Sequence, residues 1–383
     1  MTGHPDVVVV GAGIIGAACA YYLSRAGARV TVLEAVSVAA GTSSAGEGNL
    51  LLSDKSPGPE LTLALRSRDL WEEVGAALGP ETIELEPKGG LMVAADPATL
   101  DRLGALVETQ RRAGVTAVEL TPAQLPDYEP RLGPGLSGGA YYPQDAQVQP
   151  VYATARLLAA SGTDLHFGAR VQTVETGPAG VTGVRLDGGR RIPATAVVNA
   201  AGVSAAEVAA TVDTRLPVSP RRGFILVTEA LAAPGQPPPI RRKVYAAEYV
   251  GDVASDEAGL QSSAVVEATR AGTVLIGASR ERTWTGAGVP LPVLRRLARQ
   301  AAALFPFLTR VRVLRAYRGW RPYSPDHLPM IGPDPTVAGL WHATGHEGAG
   351  IGLAPATGEL IAAQLTGADP PIDPTPFAPA RFT

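Results

Sequence analysis

The chain has a single cysteine, Cys19, among its 383 residues. One cysteine excludes an internal disulfide, a zinc site with several cysteine ligands and an iron–sulfur cluster built by this chain alone. Because Cys19 falls within the first predicted helix, we predict a buried structural thiol and not a reactive one. No spacing of side chains typical of metal ligands is found, so the sequence predicts no metal.

Long hydrophobic runs and a strong excess of one charge are also missing. No apolar run is long enough to span a bilayer, and Asp6 stands where a signal peptide would need positive charge. A net charge of -3 argues against nucleic acid or an anionic membrane as the principal partner. We therefore predict a cytoplasmic protein without membrane insertion.

The order of the predicted elements indicates an α/β fold with two domains, each formed from separate segments. The chain opens with a strand–helix–strand unit and continues with antiparallel strands over 223–228, 262–267 and 273–277. It then returns to a short strand, a glycine-rich turn and a helix over 353–365. The proline-rich C-terminus is predicted to be loose.

The opening unit carries a glycine motif in the context that a dinucleotide-binding turn requires. Gly11, Gly13 and Gly16 follow the apolar strand 6–10 without a gap, and Glu34 ends the next strand. The first glycine permits the tight turn, the second lets the backbone approach a pyrophosphate, and the third lets the helix pack on the sheet. Glu34 can bind a ribose hydroxyl and would repel a 2′-phosphate, which disfavours NADP.

The glycine motif alone does not distinguish FAD from NAD. Three later segments favour a flavin: the small polar loop 41–50, the strand end 199–202 and the turn 345–352. An NAD enzyme holds its cofactor largely with consecutive βαβ units, whereas this chain leaves its first domain and returns late.

Together these segments resemble the D-amino-acid oxidase superfamily of FAD-dependent oxidoreductases, which includes glycine oxidase and sarcosine oxidase. The resemblance covers nearly the whole chain and is carried by residues 7–34, 41–50, 197–202, 319–322, 324–326, 329–332 and 345–358. Within the superfamily, the turn 345–352 is most similar to the β-type subunits of D-hydroxyproline dehydrogenase, opine oxidase and hydrogen cyanide synthase.

The resemblance implies a Rossmann-type FAD-binding domain and a discontinuous substrate domain, of α+β type, built on an antiparallel sheet. We assign 1–55, 145–215 and 315–370 to the FAD-binding domain and 56–144 with 216–314 to the substrate domain, leaving 371–383 as a tail. The implied cofactor is non-covalent FAD. The residues expected to contact it are Gly11, Ala12, Gly13, Ile14, Ile15, Gly16, Glu34, Ala35, Thr42, Ser43, Ser44, Gly48, Asn49, Leu50, Val171, Ala200, Gly202, Gly345, His346, Glu347, Gly348, Ala349, Gly350 and Ile351.

For the substrate, the resemblance implies that Arg321 grips a carboxylate, since a guanidinium fork binds both oxygens. A structural salt bridge is the alternative for Arg321. Tyr245 and Tyr249 are expected over the substrate, with aromatic packing as the alternative. His346 and Glu347 are expected to touch the substrate or tune the flavin ring, or else to face solvent.

Two further arginines, Arg221 and Arg222, are interpreted as the solvated end of a strand, with a partner-protein surface as the alternative.

The function implied by the resemblance is oxidation of a small amine or amino acid, by hydride transfer from Cα to flavin N5, giving an imine. The electron acceptor is O2 or, if the chain is a dehydrogenase subunit, a partner chain. A homo-oligomer and a hetero-complex are both compatible with the sequence. A different oxidoreductase class, such as an NAD-linked dehydrogenase or a flavin monooxygenase, and a non-enzymatic scaffold that retains a flavin stay open as alternatives.

Overall fold

A computed structural model of the chain describes residues 6–233, 236–253, 255–283 and 288–383. Its strands are, in chain order, β1 (Asp6–Val10), β2 (Arg29–Leu33), β3 (Asn49–Leu50), β4 (Gly90–Ala94), β5 (Val118–Leu120), β6 (Gly138–Tyr142), β7 (Ala146–Gln147), β8 (Asp164–His166), β9 (Val171–Gly177), β10 (Gly180–Leu186), β11 (Arg191–Pro193), β12 (Ala196–Asn199), β13 (Ser219–Thr228), β14 (Lys243–Ala246), β15 (Gln261–Ala268), β16 (Val274–Arg280), β17 (Val313–Tyr323), β18 (Met330–Pro333) and β19 (Leu340–Thr344). Its α-helices are α1 (Ile14–Arg25), α2 (Pro59–Leu78), α3 (Pro97–Arg112), α4 (Leu125–Tyr128), α5 (Pro150–Ser161), α6 (Ala205–Ala210), α7 (Glu248–Val253), α8 (Leu291–Leu304) and α9 (Gly350–Thr366).

The first sheet is built on the apolar strand β1. It has six strands in the order β18-β19-β12-β1-β2-β8, all parallel except β18, which is antiparallel to β19. Val7 and Val9 pack towards the helices α1, α5 and α9, whereas Val8 and Val10 pack towards the three-stranded sheet β11-β10-β9. Burial on both faces explains why β1 is apolar throughout, as the sequence predicted.

The antiparallel strands predicted in the middle of the chain form an eight-stranded sheet in the order β17-β13-β16-β15-β14-β4-β6-β5. Among its described pairs, only β14 and β4 run parallel. Strand β17 belongs to this sheet, although the predicted boundary before residue 315 assigns most of it to the FAD-binding domain. The register of β13 against β17 places Arg221 opposite Arg321.

Helix α9 begins at Gly350, three residues earlier than the sequence predicted, and it contains Pro355. A proline has no N–H, so the carbonyl of Ile351, one turn earlier, lacks its usual helical donor. The indole N–H of Trp71 on α2 donates to that carbonyl at 3.1 Å. The helix therefore tolerates its proline because α2 supplies the missing hydrogen bond.

Two local predictions are wrong. The apolar pattern over 165–174 predicts one continuous strand, whereas the structure divides this segment into β8 and β9. The C-terminus, predicted to be loose, packs against the body of the protein: the Phe377 side chain is 1% exposed, and Nε of Arg381 lies 2.7 Å from the Asp326 carboxylate. An aromatic ring and an ion pair fix a segment whose composition alone is typical of a tail.

Candidate active site

A tight turn joins β1 to α1 at the carboxyl end of the first sheet. Gly11 has a φ of +107°, and a Cβ at this position would lie 2.6 Å from the carbonyl oxygen of Ala200. A Cβ on Gly16 would overlap the carbonyl oxygen of Gly11 itself. Both positions therefore exclude a side chain, which fits a turn that brings its backbone and a helix N-terminus close to a pyrophosphate.

Two side chains hold this turn in place. Oε2 of Glu34, at the end of β2, accepts a hydrogen bond from the Ala12 N–H at 2.8 Å, and its Oε1 accepts one from the Val36 N–H at 2.8 Å. Oγ of Ser43 accepts the N–H of Ile14 at 3.0 Å. A carboxylate has about four lone-pair sites, so Glu34 retains the capacity to accept a ribose hydroxyl while it orders the turn.

A cavity of about 510 Å³ extends from this turn along the edge of the first sheet to the second sheet. This volume is within the range of ligand and cofactor sites. The predicted cofactor residues that line it are Gly11, Gly13, Ile14, Ile15, Glu34, Ala35, Thr42, Ser43, Asn49, Val171, Ala200, Gly202, His346, Glu347, Gly348, Gly350 and Ile351. Segments from both ends of the chain thus meet at one cavity, and its shape and donors fit a dinucleotide.

Other predicted cofactor residues do not line the larger cavity. Ala12, Gly16, Gly48, Leu50 and Gly345 lie behind its wall, where they support the residues that do line it. Ser44 is exposed, and its hydroxyl donates to the carbonyl of Gly41 at 3.4 Å.

The 3₁₀ turn Ser43–Ala45 buries Ser43 and leaves its neighbour Ser44 outside. Ala349 lines a second, smaller cavity instead of the larger one.

The second cavity, of about 250 Å³, adjoins the first. The two share Tyr249, Arg321, His346, Glu347 and Gly348 on their walls. A group bound in the smaller cavity would therefore face the end of the larger one. This relation suits a substrate placed next to a cofactor.

Arg321, on β17, is the central cation of the shared wall. Its Nη1 donates to the carbonyl of Ser279 at 2.9 Å, and the structure shows no ion pair between it and any described carboxylate. Burial, reinforced by the neighbouring Arg280 guanidinium, lowers the pKa of Arg321 to about 10. The group therefore stays charged at neutral pH and is available to an anion.

The two predicted tyrosines lie in different surroundings. Tyr249 lines both cavities, so the structure is compatible with its predicted place at the substrate. The expectation for Tyr245 is wrong: its side chain is fully buried, and its hydroxyl bonds to Ser53 and Asp145 and lines neither cavity. Side chains point alternately to the two faces of a strand. Tyr245 on β14 points into the core, so it does not reach the cavity.

His346 lies within the turn before α9 and lines both cavities, with 4% of its surface exposed. Burial lowers its pKa to about 3, so the imidazole is neutral. The hydroxyl of Thr357 donates to the Leu353 carbonyl at 2.9 Å, so Nε2 of His346, 2.9 Å away, must donate to that hydroxyl. Nδ1 is then an acceptor, and it has no partner among the described residues.

Glu347 faces its neighbours and not bulk solvent. Its Oε2 lies 3.0 Å from Nη1 of Arg221, and its Oε1 lies 2.8 Å from Nδ1 of His327. The interpretation of Arg221 and Arg222 as a solvated strand end is wrong, because their side chains are 1% and 7% exposed and each is paired with a glutamate. Strand β13 lies between β17 and β16, so its end is not at the edge of the sheet, and both arginine side chains turn inward to their glutamates.

The smaller cavity also contains charged residues that the sequence analysis did not single out. They are Asp54, Lys55, Glu60, Arg280 and His327. Arg280 ends an apolar strand, where an arginine ordinarily reaches solvent, so no local signal marks it as a cavity residue. Cys19 is fully buried, and burial raises the pKa of its thiol to about 12, which confirms a structural role.

Within the described ranges, no group of His, Cys, Asp and Glu side chains could hold a metal ion. The same part of the chain contains no helix that is both long and apolar enough to cross a membrane.

Comparisons with known proteins agree with this geometry. A family model described as FAD dependent oxidoreductase matches residues 6–364. A glycine oxidase of Pseudomonas putida is 30% identical over 386 residues, covering 98% of each chain. The hydrogen cyanide synthase subunit HcnC of Pseudomonas protegens is 27% identical over 427 residues, covering 100% of this chain and 97% of that protein.

A solved structure extends the comparison to the fold. The crystal structure of glycine oxidase from Geobacillus kaustophilus matches with a TM-score of 0.86 at 29% sequence identity, covering 98% of each chain. The predicted Rossmann-type domain and the predicted superfamily are both confirmed.

Proposed function

Because the chain belongs to the family of FAD-dependent oxidoreductases, we propose that it oxidises a small amine or amino acid at the carbon next to nitrogen. The observation that carries the proposal is the position of Arg321 on the wall between the two cavities, a cation that forms no ion pair with any carboxylate of the described ranges. The names of the similar glycine oxidases support the same substrate class.

FAD is proposed to lie in the larger cavity, held by the residues already found on its wall. The turn at Gly11 and Gly13 would take the pyrophosphate, and Glu34 would accept from the ribose. The turn 346–351 and the N-terminus of α9 would face the flavin. Their backbone N–H groups carry partial positive charge, which would stabilise negative charge on the flavin ring. The bound cofactor supplies the hydride acceptor, which no side chain could replace.

The residues of the chain would bind and orient the substrate. Arg321 would take both oxygens of the carboxylate, which fixes the direction of the Cα–H bond. Tyr249 would form the apolar wall beside it. The His346 ring is neutral at physiological pH, its lowered pKa makes it a weak base, and its N–H is used on Thr357, so we assign it a positioning role.

The electron balance of the proposed reaction closes without a protein base. The substrate would enter with a neutral amine and lose a hydride from Cα, which bound FAD would accept, and a proton from nitrogen, which solvent would take up. The resulting imine would be hydrolysed by water outside the site. The nitrogen product is ammonia or an amine, and the carbonyl product is a keto acid or an aldehyde acid. A cyclic substrate would leave as a cyclic imine.

The final electron acceptor is proposed to be O2, with a partner chain as the second candidate. The similarity to a protein that is named as a subunit favours the second candidate. Peroxide formed in stoichiometric amounts by the isolated chain would support the oxidase. Slow reaction of the reduced protein with O2, together with fast reduction of an artificial acceptor, would support the dehydrogenase subunit.

The decisive experiment is an anaerobic screen of the purified holoprotein. Glycine, sarcosine, D-amino acids and proline analogues would be mixed with it, and the flavin absorbance near its visible maximum followed. Bleaching by one of these amines supports the proposal. A protein that binds FAD but is bleached by none of them would contradict it and favour the flavin-bound scaffold.

A further inference from the structure

The smaller cavity carries more positive charge than its carboxylates neutralise. Its lysine and arginine side chains are Lys55, Arg221, Arg280 and Arg321, its acidic ones are Asp54, Glu60 and Glu347, and His327 lies on the same wall. Two of the cations have a partner within the wall: Lys55 Nζ lies 2.7 Å from Oδ1 of Asp54, and Arg221 is paired with Glu347 at 3.0 Å.

Arg280 and Arg321 have no such partner in the described part of the chain, since neither forms an ion pair there with a carboxylate. Arg280 is 5% exposed, and its guanidinium carbon lies 4.9 Å from the centre of the Tyr249 ring. Glu60 is the remaining acidic group, and it lies beyond ion-pair distance of both. Burial raises the pKa of Glu60, which makes its charged form less favourable still.

Two like-charged groups in one small cavity, Arg280 buried and Arg321 half-buried, are costly for folding, because each loses hydration and each repels the other. The repulsion is visible in the lowered pKa of Arg321, to which Arg280 contributes after burial. A pair of this kind is expected where a ligand supplies the opposite charge. A single carboxylate neutralises one guanidinium and leaves the other without a partner.

We propose that the smaller cavity recognises an amine substrate with two carboxylates, one bound by Arg321 and the other by Arg280. This inference rests on the proposed amine oxidation and narrows its substrate class. The proposed substrate class is a small amino dicarboxylate. Its second carboxylate is attached either to the side chain, as in aspartate, or to the nitrogen substituent, as in iminodiacetate.

The position of Arg280 favours this role over a structural one. The guanidinium carbon of Arg280 lies 4.9 Å from the centre of the Tyr249 ring, a cation–π contact that helps to fix the arginine without using its N–H donors. The carbonyl of the preceding residue, Ser279, already orients Arg321. Adjacent residues of β16 thus place both cations on one ligand.

The first test needs no variant. Succinate and diglycolate, which carry two carboxylates but no oxidisable amine, would be titrated into the holoprotein at constant ionic strength, with propionate and acetate as monoanionic controls. The readouts are perturbation of the flavin spectrum and calorimetric heat. The dianions should bind about ten- to hundredfold more tightly, the range expected for one added charged hydrogen-bonded contact. Equal affinities would overturn the proposal.

The second test uses the Arg280→Met variant, with the Arg295→Met variant on the exposed face of α8 as the charge-matched control. The ratio of kcat/KM for aspartate or iminodiacetate to kcat/KM for sarcosine should fall about ten- to hundredfold in Arg280→Met and stay constant in the control. The better of the two dicarboxylates identifies where the second carboxylate is attached. An Arg280→Lys variant, with an intermediate ratio, replaces Arg280→Met if that protein does not fold.

The dicarboxylate preference and the amine oxidation can be disproved separately. If sarcosine or glycine bleaches the flavin but dicarboxylates neither bind nor react better, the dicarboxylate inference is wrong and amine oxidation stands. If no amine bleaches the flavin, amine oxidation is wrong, while preferential binding of succinate or diglycolate would still show a dianion site.

Discussion

Nη1 of Arg221 and Oε2 of Glu347 lie 3.0 Å apart, joining strand β13 to the turn before α9 across 126 residues of sequence. Glu347 has a φ of +46°, so its backbone lies in the left-handed region. The ion pair holds a conformation that a non-glycine residue seldom adopts. Through it, the turn that lines the larger cavity is fixed to the sheet that carries Arg321.

A double-mutant cycle should measure this link. Arg221→Met and Glu347→Gln are each expected to lower the free energy of unfolding, because each leaves a buried charged or polar group without its partner. Their coupling energy should be about 1–3 kcal/mol in urea unfolding of the holoprotein. Strictly additive effects would show that the pair does not hold the turn.

Replacement of Arg321 should separate substrate binding from cofactor binding. In Arg321→Met, the KM for the amino acid should rise about 100-fold, because two charged hydrogen bonds to the carboxylate are lost. The FAD content should match that of the wild type. The exposed Arg315→Met on the same strand is the control. An unchanged KM would contradict the carboxylate role of Arg321.

The turn glycines should be required for cofactor retention. Gly16→Ala would force a Cβ into the Gly11 carbonyl oxygen, so we expect protein without bound FAD and with a lower melting temperature. Gly259→Ala, which meets no atom within 4 Å on the surface, is the matched control. Visible absorbance after gel filtration measures retention. Full flavin content in Gly16→Ala would contradict the proposed position of the cofactor.

His346 should make the protein less stable in acid. Its pKa is lowered to about 3 when folded, against about 6.5 in an unfolded chain. Between these values the unfolded state binds more protons, so the contribution of His346 weakens stability as pH falls from 6.5 towards 3. The melting temperature of the wild type should decline between pH 6.5 and 4.5. This decline should be smaller in His346→Gln than in the control variant His166→Gln.

The same histidine can be observed directly. Nitrogen-15 NMR should report a neutral ring with the proton on Nε2 at all pH values above about 4. A titration of His346 near pH 6.5 would contradict the burial of its ring.

The C-terminal segment should contribute to stability. Phe377→Ala removes a ring that is 1% exposed and should lower the free energy of unfolding by about 3–5 kcal/mol. Phe167→Ala removes a ring that is 55% exposed and should change it by less than about 0.5 kcal/mol. Equal, small effects in chemical denaturation would mean that the segment is loose, as its composition first indicated.

Sequence patterns predicted the first sheet and the cofactor class because their signals are local. An apolar strand buried on both faces, three glycines at fixed spacing and an acid at the next strand end lie within residues 6–34. Each constrains the backbone a few residues away, through turn geometry or close packing. The helical period of the apolar positions likewise predicts helices over 60–78, 98–113 and 291–304, close to the bounds of α2, α3 and α8.

The charge of the smaller cavity was decided only by the tertiary structure. Arg221, Arg280 and Arg321 end up together because β13 pairs with β17 on one side and with β16 on the other. That order depends on the packing of strands that are far apart in sequence, and no local period records it. Sequence alone indicated a flavin fold and one candidate arginine. The pairing of strands placed Arg280, a second arginine without an ion-pair partner among the described residues, on the wall of the same cavity.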